Sequence, residues 1–187
     1  TELILGLPGD SKKAHIKTLK DVIDADMGII RMYQLILLPQ TELNTPDTRN
    51  AYEMKTKHRL MPRSFGKYEI LGKEFCAIES EEICIENNSL SFNDYVECRE
   101  LDMTVEIIHN GGIFDELKGF CKWLELSWFD FLMMFYAGRR SHSEGITKLY
   151  DTFREQTTED IFDTRDELDV AIEKNIDVFL DSEGSSN

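Results

Sequence analysis

A short glycine- and proline-rich turn is the part of this sequence best suited to holding a small molecule. Residues 6–9 (GLPG) end an apolar run at residues 2–7, and Asp10 or Ser11 can cap a helix directly after them. In β/α barrels and open α/β sheets, ligands bind where buried strands end, and glycine there lets the backbone approach a ligand closely. A plain strand-to-helix connection uses the same residues, so the residues alone leave both interpretations open.

Nucleotide-binding motifs and catalytic pairs do not fit this turn or the rest of the sequence. A phosphate loop needs four residues between its glycines and Lys-Ser/Thr directly after them, whereas here Ser11 precedes Lys12. A dinucleotide fingerprint would need a third glycine. The sequence has no GxSxG elbow and no obvious nucleophile–base pair. We therefore predict no catalytic residue in this chain.

Residues with metal-site spacing are also missing from the sequence. The histidines are isolated, without HExxH or HxH, and we interpret them as surface or capping residues: His15, His58, His109 and His142. No two of the four cysteines are at CxxC spacing: Cys76, Cys84, Cys98 and Cys121. Nothing marks the chain as secreted, so we expect reduced thiols, with Cys98 and Cys121 as small hydrophobic residues on helical stripes.

The net charge of −15 limits the partners of the chain. Residues 76–187 hold 26 acidic and 9 basic side chains, which repel a nucleic-acid backbone, so we predict no nucleic-acid binding by this segment.

The longest apolar run, residues 35–38, is far too short to cross a bilayer, and we expect a cytoplasmic protein without a membrane partner. The chain begins at Thr1, directly before a strand-like run, which favours a fragment whose partner is the upstream part of the same polypeptide.

A β–α–β unit must position the turn. Residues 2–7 and 29–38 are apolar runs typical of strands buried on both faces. The segment between them has apolar residues at helical spacing opposite lysines: Ile16, Leu19, Val22 and Ile23. Two strands joined by one helix should be parallel with a right-handed crossover. The predicted fold class is α/β.

The second strand is followed by a weaker pattern. We interpret residues 39–61 as a long loop with one helical turn near residues 51–57. Residues 67–71 and 75–85 alternate as two short strands, and the residues between them can form a tight hairpin turn.

From residue 88 onward the pattern is helical. Ser91 and Asp94 approximate a capping box for the first helix, Ser127 caps the third, and Thr157 opens the last. Because the pattern changes from strand to helix near Asn88, we predict two domains, residues 1–87 and residues 88–187.

Two motifs carry a resemblance to a known family. Residues 2–11 (ELILGLPGDS) resemble the E/D-h-I-h-G-h-P-G-E/Q-T signature, where h is hydrophobic, of radical S-adenosylmethionine enzymes. At the spacing of that family, residues 33–43 (YQLILLPQTEL) resemble its next strand, which ends in L-x-P-G-T-x-L. Residues 44–74 are similar to the subgroup whose barrel follows a cobalamin-binding domain. Gln40 stands where the family usually has glycine, which leaves the shape of that turn open.

The resemblance implies a fold and a set of pocket residues. Residues 1–87 would be the last β/α units of a partial TIM-like barrel, followed by a mostly helical C-terminal domain. Glu2 would face the ribose or amino group of adenosylmethionine, residues 6–9 would line its adenine side, and backbone at residues 33–35 would contact adenine. The implied cofactor-binding residues are Glu2, Gly6, Leu7, Pro8, Gly9, Tyr33, Gln34 and Leu35.

The same resemblance implies cofactors that this chain cannot hold alone. The parent enzyme would use adenosylmethionine and a four-iron four-sulfur cluster, and the sequence leaves open whether it also uses cobalamin. The CxxxCxxC loop that binds the cluster in the family does not occur in the chain. We therefore expect a fragment that is inactive alone and that supplies part of the pocket and a helical accessory domain.

Two other functions stay open at this point. One is an α/β plus helical protein-interaction module without catalytic activity, with its acidic helices as the binding surface. The other is a complete small transferase that binds a nucleotide at residues 6–9, although the sequence offers it no general base or metal site. For the barrel fragment we also predict an oligomer formed at the outer edge of the first strand.

Overall fold

The computed structural model describes residues 1–184, without the side chains at positions 62, 63, 65 and 176–184. It is a mixed α/β structure whose C-terminal part is mostly helical, as predicted. The elements of the described residues are β1 (Glu2–Leu5), α1 (Lys12–Asp24), β2 (Arg31–Gln34), α2 (Pro46–Ala51), β3 (Lys55–Ile70), β4 (Lys73–Glu86), α3 (Phe92–Val105), α4 (Asp115–Trp123), α5 (Trp128–Ala137), α6 (Glu144–Glu159) and α7 (Arg165–Gly184). Short helical turns lie at Glu42–Asn44 and Glu106–Asn110.

Strands β1 and β2 are parallel and are connected by helix α1, which confirms the predicted β–α–β unit. Both strands are shorter than residues 2–7 and 29–38. At the end of β1, Gly6 takes φ +93° and leaves the extended conformation. Directly after β2, the backbone changes its hydrogen-bonding partner from β1 to β4. The Leu35 N–H still donates to the Leu5 carbonyl (2.9 Å), whereas the Leu35 carbonyl accepts from the Cys84 N–H (2.9 Å).

The long antiparallel hairpin β3–β4 forms a second two-stranded sheet that is joined to the segment after β2. An isolated antiparallel bridge joins Ile36 to Ile83, and the Leu37 N–H donates to the Glu82 carbonyl at 2.8 Å. The hairpin is therefore hydrogen-bonded to the end of the β1–β2 unit. Its carboxyl-terminal strand lies directly beside the turn that follows β1.

The prediction for residues 39–61 was wrong in two respects. The helix lies earlier than residues 51–57, at Pro46–Ala51, where the Thr45 side chain caps it and Pro46 occupies its first turn. The segment from Lys55 is the start of β3 rather than loop. It has no apolar alternation because polar cross-strand pairs occupy it, such as the Arg59–Glu81 ion pair.

The helical half follows the predicted order with one error. Helix α5 is capped by Ser127, as predicted, and the Ser127 side chain accepts from the Asp130 N–H. Thr157 does not open a helix: it lies inside α6, where its hydroxyl donates to the Phe153 carbonyl four residues earlier. Helix α7 begins after Thr164 instead. Among residues 1–184, no helix is long and apolar enough to cross a membrane.

The main core lies between one face of the β1–β2 pair and the helices. Leu3 and Met32 of the strands pack against a cluster drawn mainly from α1, α3 and α5 and from Ile30 before β2; its most deeply buried members include Leu19, Ile30, Leu101, Val105 and Leu132. A second cluster, which includes Leu5 and Tyr95, joins β1 to β4 and α3. The second cluster buries Leu5, the last residue of β1, directly before the turn.

Candidate functional site

The turn after β1 has the form of a type II turn. The Asp10 N–H donates to the Leu7 carbonyl at 2.9 Å, Pro8 is at the second position, and Gly9 is at the third with φ +82°. A side chain at Gly9 would meet no atom within 4 Å. The turn therefore exposes its backbone at the carboxyl end of β1, where a ligand can approach it.

A turn of the same form follows β2. The Thr41 N–H and hydroxyl both point to the Leu38 carbonyl, at 3.4 and 2.8 Å, and Pro39 is at the second position. Gln40, at the third position, has φ +65°. The residue that replaces the family's glycine therefore adopts the left-handed backbone conformation that glycine favours. The open question about the shape of this turn is answered: its third residue has a positive φ, as Gly9 has in the first turn.

The side chain of Asn87, the residue that follows β4, is hydrogen-bonded to the first turn. Asn87 is buried, and its Nδ2 donates to the Gly6 carbonyl at 3.1 Å. Its Oδ1 accepts from the N–H groups of Ser89 (2.9 Å) and Leu90 (3.0 Å), and the Ser89 hydroxyl donates to the Asp10 carbonyl at 2.6 Å. Neither Asn87 nor Ser89 was predicted as a site residue, although their Asn-Asn-Ser run between a strand and a helix is a turn signal.

Gly6 lies where the first turn, β2 and β4 meet. A Cβ atom at this position would lie 3.4 Å from the Cys84 carbonyl oxygen and 3.9 Å from Leu35 Cβ. With φ +93° as well, the position is suited to glycine in both space and backbone conformation.

The predicted pocket residues divide into two groups. Glu2 and Tyr33 lie on the face of the β1–β2 pair that points away from α1, together with Ile4, and Ile4 and Tyr33 are 46% and 45% exposed. Leu7 and Gly9 are also exposed, and Pro8 is half-buried. These residues lie on one accessible surface around the first turn and the exposed strand face.

The remaining predicted residues are turned inward. Gly6 and Leu35 are buried, and the backbone N–H and carbonyl of Leu35 are both occupied by hydrogen bonds. The Gln34 side chain is buried on the other face of the strand pair. Gly6, Gln34 and Leu35 therefore lie beneath the accessible surface and do not contribute side chains to it.

Two histidines are buried, which corrects the interpretation of all four as surface or capping residues. His15 Nε2 lies 2.8 Å from Asp102 Oδ1, and both side chains are buried. Burial by itself lowers the pKa of His15, but the hydrogen bond and charge of Asp102 outweigh it, so the pKa lies above its ordinary value. Sequence pattern could not find this pair because 87 residues separate its members.

His109 is a structural residue of the core. Its Nε2 donates to the Met27 carbonyl at 2.8 Å, and its Nδ1 accepts from Trp128 Nε1 at 3.2 Å. Burial lowers the pKa of His109, which favours the neutral ring that this pair of hydrogen bonds requires. Both ring nitrogens are occupied, so His109 is not available to a ligand.

The cysteines do not fit an iron–sulfur cluster. Cys84, Cys98 and Cys121 are buried in three different core clusters, and Cys76 is exposed on the hairpin. Burial raises the pKa of Cys98 far above its ordinary value, whereas cluster ligands are thiolates. Among the side chains that the structure describes, no group of three or more His, Cys, Asp or Glu is gathered as a metal site.

Comparison with known proteins found two relatives, both methyltransferases. No protein-family model matches the chain. It is 30% identical over 112 residues to the 2-(S-pantetheinyl)-carbapenam-3-carboxylate methyltransferase of Streptantibioticus cattleyicolor, an alignment that covers 59% of the chain and 16% of the relative. It is 26% identical over 159 residues to the cobalamin-dependent radical SAM methyltransferase TokK of Streptomyces tokunonensis, which covers 84% of the chain and 20% of the relative. The chain thus spans a fifth or less of these relatives, and its similarity to them loosely supports the radical S-adenosylmethionine family.

Proposed function

We propose that this chain forms the closing β/α units and the helical C-terminal domain of a radical S-adenosylmethionine methyltransferase that uses cobalamin. In this role it supplies one wall of the adenosylmethionine pocket and is inactive alone. The observation that supports the proposal most directly is the parallel β1–β2 pair, in which both strands end in a turn of the same form. The residues of these two turns are those that match the family motifs.

The accessible surface offers groups of the right chemistry for adenosylmethionine. Glu2 is an exposed carboxylate that can accept hydrogen bonds from ribose hydroxyls or from the amino group, the second kind being charge-assisted. Tyr33 presents an exposed aromatic ring on the same face, and rings of this kind stack on nucleobases. The exposed backbone at Gly9 can approach the ligand closely because no side chain intervenes.

The chemistry of the proposed reaction belongs to groups outside this chain. Adenosylmethionine and cobalamin would supply the radical and methyl-transfer chemistry when they are bound in the whole enzyme. The cysteines described above do not fit the cluster, so the proposal assigns no cluster ligand to residues 1–184. This chain would bind and orient adenosylmethionine and exclude water with its apolar residues Ile4 and Leu7.

Hydrogen–deuterium exchange of the full-length protein tests this location. We expect adenosylmethionine to slow exchange of amides at residues 2–10 and 31–41, because the proposed pocket wall lies there. The tip of the β3–β4 hairpin, residues 68–75, should be unaffected and serves as the internal control. Binding of adenosylmethionine with no change at residues 2–10 and 31–41 would contradict the proposed role of this segment.

A further inference from the structure

A cavity of about 380 Å³ lies between the hairpin and the C-terminal helices. Its walls come from β3, α3, α6, α7 and the segment between the last two helices, and none of its lining residues belongs to β1 or β2. A pair of backbone hydrogen bonds between His58 and Phe162, both 2.8 Å long, ties the hairpin to that segment and holds one side of the cavity together. Cavities of this size are typical of small-molecule sites.

The inner wall of the cavity contains one buried side-chain atom that has no hydrogen-bond partner among the described residues. One of the three buried side-chain atoms without a hydrogen-bond partner in the described part of the chain is Arg99 Nε. Arg99 lines the cavity, and its Nη1 lies 4.0 Å from Asp102 Oδ2, too far for a hydrogen bond. Buried polar groups without a partner are rare in folded proteins and call for an explanation such as a bound ligand.

Tyr95 adds a buried hydroxyl-bearing side chain to the same wall. It is 1% exposed and lines the cavity beside Arg99. Burial raises the pKa of Tyr95, so its hydroxyl stays protonated and can donate a hydrogen bond. A guanidinium and a phenol hydroxyl on one wall are both donors, and together they suit an oxyanion.

The rest of the cavity is mainly apolar. The guanidinium of Arg99 lies over the Phe153 ring, 5.6 Å from its centroid, and Leu168 and Ile172 of α7 also line the cavity. The other lining arginine, Arg59, already pairs with Glu81. The ion pair that the described residues give Arg99 is a long one, 4.0 Å from Nη1 to Asp102 Oδ2. A guanidinium so loosely paired in apolar surroundings favours a monoanion, because a doubly charged phosphate would lose more hydration than a single guanidinium restores.

We propose that this cavity binds a small monocarboxylate with an apolar body. The carboxylate accepts hydrogen bonds from Arg99 and Tyr95, and the apolar body contacts Phe153, Leu168 and Ile172. Asp160 is the one carboxylate among the lining residues of the described chain, and burial raises its pKa, so it is more readily neutralised than an exposed aspartate. The site is separate from the proposed adenosylmethionine wall and does not depend on it.

Calorimetric titration of the protein with octanoate tests the proposal, with octanol and octyl phosphate as probes of the headgroup. We expect octanoate to bind at least tenfold more tightly than either. Methyl NMR shifts of Leu168 and Ile172 should follow the same titration and locate the ligand. No binding of octanoate, equal binding of octanol, or tighter binding of octyl phosphate would each overturn the proposal.

Arg99→Met, which keeps an unbranched apolar side chain, should weaken octanoate binding about ten- to a hundredfold, the usual worth of a hydrogen bond to a charged group. Octanol binding should be unchanged. Arg165→Met is the matched control, because Arg165 is an exposed arginine of α7 outside the cavity. An unchanged octanoate affinity in folded Arg99→Met protein would overturn the role of Arg99, and the headgroup comparison in the wild type tests the site even if this variant does not fold.

Discussion

The side chain of Asn87 donates a hydrogen bond to the carbonyl of Gly6 at 3.1 Å and thereby joins the end of the hairpin to the turn after β1. The bond is buried and crosses 81 positions of sequence. Because the Oδ1 atom of the same asparagine accepts from two backbone N–H groups, one side chain satisfies three backbone groups.

Asn87→Ala should lower the free energy of unfolding by about 2–3 kcal/mol, since it leaves buried backbone groups without partners. Asn88→Ala is the matched control and should change it by less than about 0.5 kcal/mol, because Asn88 is exposed and makes only one long side-chain bond, 3.5 Å to the Ala51 carbonyl. Urea denaturation measures both variants. Equal effects at the two positions would show that Asn87 does not hold the turn.

In the turns after β1 and β2, glycine at the third position should stabilise the fold. Gln40→Gly should raise the free energy of unfolding by about 0.5 kcal/mol, because relief of a left-handed conformation worth about 1–2 kcal/mol exceeds the entropy cost of glycine, about 0.5–1 kcal/mol. Gly9→Ala should lower it by about 1 kcal/mol for backbone reasons alone, since no atom would meet the added Cβ. Urea denaturation compares them. A loss of stability in Gln40→Gly would contradict the strain assigned to Gln40.

The buried His15–Asp102 pair predicts a pH dependence of stability. The pKa of His15 is raised in the folded state, so its contribution is fully present below the unfolded pKa, about 6.5, and is lost as pH rises through the folded value. The difference in unfolding free energy between wild type and His15→Gln should therefore be largest near pH 6 and shrink above it. His142→Gln, at an exposed histidine, is the control variant. A difference that grows with pH would contradict a raised pKa of His15 in the folded state.

The outer edge of β1 predicts self-association of the isolated chain. In the described residues β1 pairs only with β2, and its exposed face carries Ile4. Unpaired edges and uncovered apolar faces favour contact with a second copy. Sedimentation equilibrium should show a dimer or a larger species for residues 1–187, and Ile4→Glu should shift it toward monomer, whereas Leu71→Glu, at the exposed hairpin tip, should not. A clean monomer of the wild type at high concentration would exclude association through this edge.

Local signals explain which parts of the fold could be predicted from sequence. The β–α–β unit and α5 follow from apolar runs, a capping serine and glycine-containing turns, all within a few residues of the element they define. Strand β3 was missed at its start because Lys55 and Arg59 are stabilised by partners on β4, which the local pattern does not contain. Non-local contacts also decide the burial of His15 and the role of Asn87.

The candidate site, too, could be predicted only where local sequence signals define it. The motifs indicated which residues surround the turn, and the exposed position of Glu2 and Tyr33 on one face follows from strand alternation. That Leu35 has no free backbone group could not be predicted, because its carbonyl is occupied by Cys84 from a distant strand.

Glu2 is the residue of this chain on which the proposed pocket depends most. It begins β1, is exposed, and lies on the same face as Tyr33, so its carboxylate is free of the packing that fixes the opposite face. Glu2→Ala in the full-length protein should weaken adenosylmethionine binding about ten- to a hundredfold, the worth of a hydrogen bond to a charged group. Glu2→Gln should have a smaller effect if the partner is a ribose hydroxyl and a similar one if it is the charged amino group.

Calorimetric titration with adenosylmethionine distinguishes these cases, and thermal unfolding should be nearly unchanged in both variants because Glu2 packs against no core cluster. Glu69→Ala is the matched control, since Glu69 is an exposed strand glutamate on the hairpin, outside the proposed pocket. Wild-type affinity in folded Glu2→Ala protein would mean that Glu2 faces solvent in the whole enzyme. The assignment of Glu2 to the pocket would then be wrong, while the position of the two turns would still be tested separately by hydrogen exchange.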